Sequence, residues 1–343
     1  MPRGKAFPRQ KKTTMRRNDY DVTDSIRTTD FRDVGAEVMR IFRGLYGRAS
    51  GPAGGAALER AFADIAALYR GEHPDYHPCD TEYHDIQHIL DVTLAMARLM
   101  DGYERSRSDG EARIEPQIFS VGLLAALFHD FGYLRRRRDH RHRYGAEYTL
   151  THVSRGAAFL RRYLREVGLG ELAGTAATLV HYTGYERPTE TIRVSDMLLR
   201  RVGHMLGTAD IIGQMSDRCY LEKCRSRLFP EFVLGRLAGR KLAGRRTLPS
   251  FASGDDLVQK TPMFYAGATR RLDVQLARAY EYAARHFGGR NLYLDEMQKN
   301  VHHAQRVASL GEPQAHLRRQ PPSTLRPEVE PYPQDLLALA AGC

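Results

Sequence analysis

Four residues in two short segments have the types and spacing to do chemistry. His84 and His88 lie four apart in YHDIQHILDV (residues 83–92), so a helix carries both imidazoles on one face. Such a pair can share a metal ion, or it can be two polar residues on the exposed side of an amphipathic helix. His129 and Asp130 come directly after residues 118–128 (IFSVGLLAALF), apolar at nine of eleven positions. A carboxylate at the end of so apolar a helix wants a cation, and the adjacent imidazole wants a defined partner, because a buried unpaired charge is costly. The other reading is a helix C-terminus emerging at Gly132, with both side chains in water.

The elements that must position these residues are helical. Apolar residues recur at three-to-four spacing over Val34–Tyr46, Ala53–Tyr69, Asp85–Met100, Tyr144–Val167, Glu171–Tyr182 and Ala268–Phe287, with a Gly-rich break at Gly51–Gly55. A broken helical run extends from Asp196 to about Arg240, and alternating strand patterns are nearly absent. The expectation is an all-α multi-helix bundle forming one domain over residues 34–312. The flanks differ: residues 1–33 read as a basic disordered tail, and residues 313–343 hold six of the sixteen prolines and read as an extended, mobile tail. Within it, residues 334–342 suggest a short docking helix. At 343 residues and 42% apolar, the chain is long enough to bury a substantial core. No apolar run is long enough for a membrane span, no secretory signal is visible, and four cysteines make no disulfide framework, so a reducing cytoplasm is expected.

The charge is localised. Residues 1–17 carry seven Lys/Arg and no acid, and Arg135–Arg143 (RRRRDHRHR) sets six Arg against Asp139. These stretches supply +12 of a total of +11, so the rest sums to about −1. A local anionic ligand fits that pattern better than a nucleic-acid coat.

Three segments in order, YHDIQHILDV (83–92), LLAALFHDFG (123–132) and GTADIIGQ (207–214), resemble the HD-domain metal-dependent phosphohydrolases. The first is also similar to the YHNxxHxxDV element of class I cyclic-nucleotide phosphodiesterases, with Asp85 in place of Asn. The resemblance covers roughly residues 80–220. It implies His88, His129, Asp130 and Asp210 as ligands of one divalent ion, His152 and His181 as ligands of a second, and His84 as general acid. It departs from the cyclic-nucleotide enzymes just after the HD pair, where FGYLRRRRDH stands in place of a further nearby histidine. It departs from the HD-GYP hydrolases in having neither an HHE nor a GYP signature.

A mixed imidazole and carboxylate set without thiolate suits Mn, Fe, Zn, Ni, Co or Mg and leaves positions for water and phosphoryl oxygens. The expected substrate is a phosphorylated small molecule or nucleotide, with no membrane partner and nucleic acid not favoured. Asp91, three residues after His88, is expected either to hydrogen-bond a ligand or to face solvent. Asp217 and Asp196 are rivals of Asp210, and Gln214 is a candidate base contact. Arg135, Arg136, Arg137 and Arg138 start five residues after Asp130 and are expected as a phosphate clamp or a solvated face. Cys219 and Cys224 read as core thiols. The alternative functions are a catalytically silent nucleotide sensor and a protein that binds nucleic acid through its basic tail.

Overall fold

The computed structural model describes residues 15–47, 52–237 and 251–341, and among these the regular structure is helical, with only two isolated β-bridges. The longer helices are α1 (Phe31–Tyr46), α2 (Pro52–Tyr69), α3 (Ile86–Ser106), α4 (Pro116–Phe128), α5 (His152–Glu166), α6 (Ala173–Leu179) and α7 (Met197–Met215). They continue as α8 (Tyr220–Lys223), α9 (Phe229–Leu234), α10 (Gly254–Arg270), α11 (Glu281–His286), α12 (Leu292–Leu310), α13 (Pro313–His316) and α14 (Gln334–Ala341). The all-α expectation holds. No described helix is long and apolar enough to cross a membrane. Cys79, Cys219 and Cys224 are buried free thiols.

The bundle is organised around α3, whose residues from Gln87 to Tyr103 are nearly all buried, and which packs against α1, α4, α7 and α11. Its first turn is fixed by Asp85, whose side chain accepts from the His88 amide at 3.0 Å, an N-cap that satisfies one of the helix's free donors. The apolar α4 is buried from Phe119 to Phe128, as its unbroken hydrophobicity demands. α7 starts at an Asp196 cap that accepts from the Leu199 amide, so Asp196 is a helix start and not a ligand.

Several elements differ from the sequence expectation. Residues 144–151 do not extend α5; Gly145–Tyr148 form a 3₁₀ turn. The helix expected over 268–287 is broken by a π-turn at Arg271–Gln275 and by Ala277 and Arg278 at φ 51° and 57°, before α11 begins. Of the break expected at Gly51–Gly55, residue 51 lies outside the described residues, while Gly54 and Gly55 lie inside α2.

Both flanks also depart from expectation where they are described. Residues 15–30 are laid onto the bundle: Thr28 is fully buried, and Asp21 pairs with the buried Arg98 guanidinium at 2.6 Å. An arginine inside the core requires a carboxylate, and this segment supplies it. Residues 1–14, with most of the basic charge, lie outside the described residues. Of the tail expected over 313–333, residues 313–316 are helical, and 317–333 has no helix or strand but is anchored. Arg227 Nη2 donates to the Pro321 and Pro322 carbonyls at 3.1 and 3.0 Å, and Tyr332 is 2% exposed beside Tyr144.

Candidate metal centre

α3, the end of α4, the start of α5 and the middle of α7 converge on one buried cluster. His88, His129 and Asp130 offer ligand atoms within 4.8 Å of one another, and all three are buried. Asp130 Oδ2 lies 3.2 Å from both His88 Nε2 and His129 Nε2. Asp210 Oδ1 lies 3.5 Å from His88 Nε2 and 3.8 Å from His129 Nε2. The other Asp130 oxygen, Oδ1, faces His152 Nε2 at 3.4 Å. Gly132 and Gly156 permit this approach of α5, since a Cβ on Gly132 would lie 1.8 Å from the His152 carbonyl and one on Gly156 2.6 Å from that of His129.

The hydrogen bonds assign the ring protons. His129 Nδ1 donates to the Ala126 carbonyl at 2.8 Å, and His152 Nδ1 donates to the Thr149 carbonyl at 2.7 Å, because a carbonyl only accepts. In the neutral rings the Nε2 lone pairs therefore point at carboxylate oxygens, which repels unless a cation stands between them. His129 Nε2 is buried and makes no hydrogen bond of adequate geometry even to Asp130. Without a metal, a proton takes that place: burial pulls the His129 pKa down, but the Asp130 and Asp210 carboxylates outweigh it and lift it to about 9. Burial alone would raise the Asp130 pKa; the His129 ring reverses this and holds it well below the usual range. An orphaned imidazole nitrogen over two carboxylates fits a divalent ion.

His84 does not share the helix of His88 as the spacing suggests, because α3 starts only at Ile86; from the bend before it, His84 has its Nδ1 on the carboxylate of Glu231, which is fully buried in α9. The other Glu231 oxygen accepts from the Tyr83 amide at 2.6 Å. Burial lowers the His84 pKa, but the Glu231 carboxylate more than compensates and raises it above the ordinary histidine value. The Tyr133 ring stacks against both His84 and His152, with centroids 4.4 Å away in each case. Glu231 and Tyr133 carry no motif that marks them in the sequence; an acid in LFPEFVL, flanked by apolar residues, is the one local hint.

The remaining expectations divide. The Gln214 amide donates to Asp210 Oδ1 at 3.1 Å and its oxygen accepts from the Tyr83 hydroxyl at 3.0 Å, steadying the carboxylate. Asp91 lines a small cavity with His88, but no hydrogen bond joins it to a ligand; burial and the neighbouring Asp217 push its pKa well up. Asp217 is paired with Lys223 at 2.5 Å and is no rival to Asp210. His181 is not brought to the cluster. Its ring responds to Arg187 and Glu186, and its buried Nδ1 is without a partner. Of Arg135–Arg138, Arg135 is half-buried and the other three are exposed. Arg135 pairs with the buried Asp80 at 2.8 Å, the Arg136 guanidinium lies 5.9 Å from the centre of the Tyr76 ring, and Arg137 donates to the Gly71 carbonyl, while Arg138 is exposed.

No family model and no curated protein matches the chain. Among solved structures it is similar to the phosphodiesterase domain of the RhoPDE fusion protein from the choanoflagellate Salpingoeca rosetta. The identity is 14% and the TM-score 0.49, over 87% of this chain and 97% of that one.

Proposed function

We propose that this chain is a metal-dependent phosphohydrolase that cleaves a phosphodiester or phosphomonoester bond of a nucleotide-like substrate with water. The observation that carries the reading is the convergence of three imidazole Nε2 atoms on the Asp130 carboxylate, beside a histidine backed by a buried glutamate. The order and residues of the three HD-like segments support the same reading.

In this reading His88, His129, Asp130 and Asp210 hold one divalent ion, and Asp130 Oδ1 with His152 forms the beginning of a second position. His181 takes no ligand role. When bound, the metal supplies Lewis-acid polarisation of a phosphoryl oxygen and acidifies water toward neutrality. The chain does the rest. Glu231 holds His84 through Nδ1 and favours its protonated form, leaving Nε2 to hand a proton to the departing oxygen, a step worth about 10²–10⁴-fold. Gln214 steadies Asp210, and Tyr133 keeps the His84 and His152 rings in place by stacking.

The test combines elemental analysis with turnover of bis(p-nitrophenyl) phosphate and p-nitrophenyl phosphate in the presence of manganese. The wild-type chain is expected to carry metal and hydrolyse at least one of them, and the His129→Ala, Asp130→Ala double variant to lose both properties. Normal activity in that variant overturns the reading. Metal with nucleotide binding but no turnover of any phosphoester makes the chain a sensor.

A further inference from the structure

The carboxylate of Asp85 lies between the two histidines of the first motif and is 1% exposed. One of its oxygens, Oδ1, accepts from the His88 amide at 3.0 Å and so starts α3. The other, Oδ2, accepts from the hydroxyl of Thr324 at 2.6 Å, a residue 239 positions away in the proline-rich segment. The nearest cation to that oxygen, Arg227 Nη1, stands back at 3.9 Å. A buried carboxylate oxygen needs a donor, and Thr324 supplies the short one.

The segment is held on both sides of this contact. Asn18 Nδ2 donates to the Gln320 carbonyl at 3.0 Å, Arg227 holds the Pro321 and Pro322 carbonyls, and Arg326 Nη1 donates to the Arg70 carbonyl at 3.0 Å. Farther on, Tyr332 is buried in a cluster against which Val233 and Leu234 pack, two and three residues after Glu231 in α9. The strap thus approaches the His84–His88 turn from Asp85 and the His84 support from Glu231.

We infer that Thr324 is a positioning residue of the candidate active site: through Asp85 it fixes the helix start that sets where His84 and His88 stand. The inference rests on the phosphohydrolase reading above, in which those histidines are acid and ligand. Without the hydroxyl, Asp85 Oδ2 is left to the more distant Arg227, and a carboxylate that turns toward that cation loosens its hold on the His88 amide. The two imidazoles then lose their common reference, although neither touches Thr324.

The experiment compares Thr324→Val, which keeps the shape and removes the donor, with Thr324→Ser, which keeps the donor. Manganese affinity is measured by calorimetry without substrate, and kcat and KM on bis(p-nitrophenyl) phosphate. Thr324→Val is expected to weaken manganese binding and to lower kcat about tenfold, the lower end of the effect of groups that orient ligands. KM stays within about twofold, and Thr324→Ser stays close to wild type in all three. A purely structural role lowers the thermal midpoint alone. Unchanged manganese affinity and kcat in a folded Thr324→Val chain overturn the inference and leave the phosphohydrolase reading intact. The inference also falls if Thr324→Ser is as impaired as Thr324→Val. A wild-type chain that binds no manganese and turns over no phosphoester overturns both.

Discussion

His84 Nδ1 rests on the carboxylate of Glu231, 147 residues later in the chain and fully buried in α9. The contact joins the residues just before α3 to a helix that follows α7. A buried carboxylate holding one ring nitrogen fixes the ring's orientation and makes the imidazolium easier to keep.

Glu231→Gln should therefore act on the proton step. We expect kcat to fall by more than about tenfold and by no more than the ~10²–10⁴-fold that a general acid contributes, with a smaller change in KM. The loss should be larger for an alkyl ester than for a p-nitrophenyl ester, because a good leaving group needs little protonation. Steady-state kinetics on the two ester types checks this. Equal losses on both would remove His84 from the acid role.

Metal should stabilise the fold as it fills the cluster. At manganese about 100-fold above its dissociation constant, the gain is about 2.7 kcal/mol, which scanning calorimetry reads as an upward shift of the midpoint. His129→Ala should show no such shift. A variant that responds to manganese like the wild type would place the metal elsewhere.

The Asp21–Arg98 pair predicts a pH dependence of stability. Burial raises the Asp21 pKa, but the Arg98 guanidinium and the hydrogen bonds from Ile26 and Thr23 more than reverse this, so it is lowered in the fold. A carboxyl depressed on folding contributes stability above its unfolded pKa of about 3.9 and loses it as pH falls through the lower folded value. Asp21→Asn should destabilise the chain by about 3 kcal/mol at neutral pH, since it strands a buried guanidinium. The gap to wild type should narrow below about pH 4. Urea titrations across acid pH measure it; a constant gap would mean that the charge of Asp21 is irrelevant.

The arginine run can be separated residue by residue. Arg135→Ala should cost about 2 kcal/mol because Asp80, whose pKa burial already raises, loses its cation. Arg136→Ala and Arg138→Ala should stay within about 0.5 kcal/mol. If the run clamped phosphate, the last two would raise KM for a phosphoester severalfold; on the observed placement KM should hold within about twofold.

The helical class and the candidate ligands His88, His129 and Asp130 are legible in the chain's local pattern. Apolar periodicity is a local property, and the motifs YHDIQHILDV and LLAALFHDFG tie these residues to the start of α3 and the end of α4. The contacts made across large sequence separation come from packing alone. Glu231, Tyr133 and Thr324 carry no local signature, because their roles exist only once α9, the turn after α4 and the strap are packed against α3. The arginine run shows the converse. Its composition fixes how much charge is present, but the contacts of Arg135, Arg136 and Arg137 are with Asp80, the Tyr76 ring and the Gly71 carbonyl, which folding brings beside them. His152 and His181 looked equivalent by spacing. The close approach of α5 over Gly132 and Gly156 brought one to Asp130, while the turn at Val180–Tyr182 left the other outside the cluster.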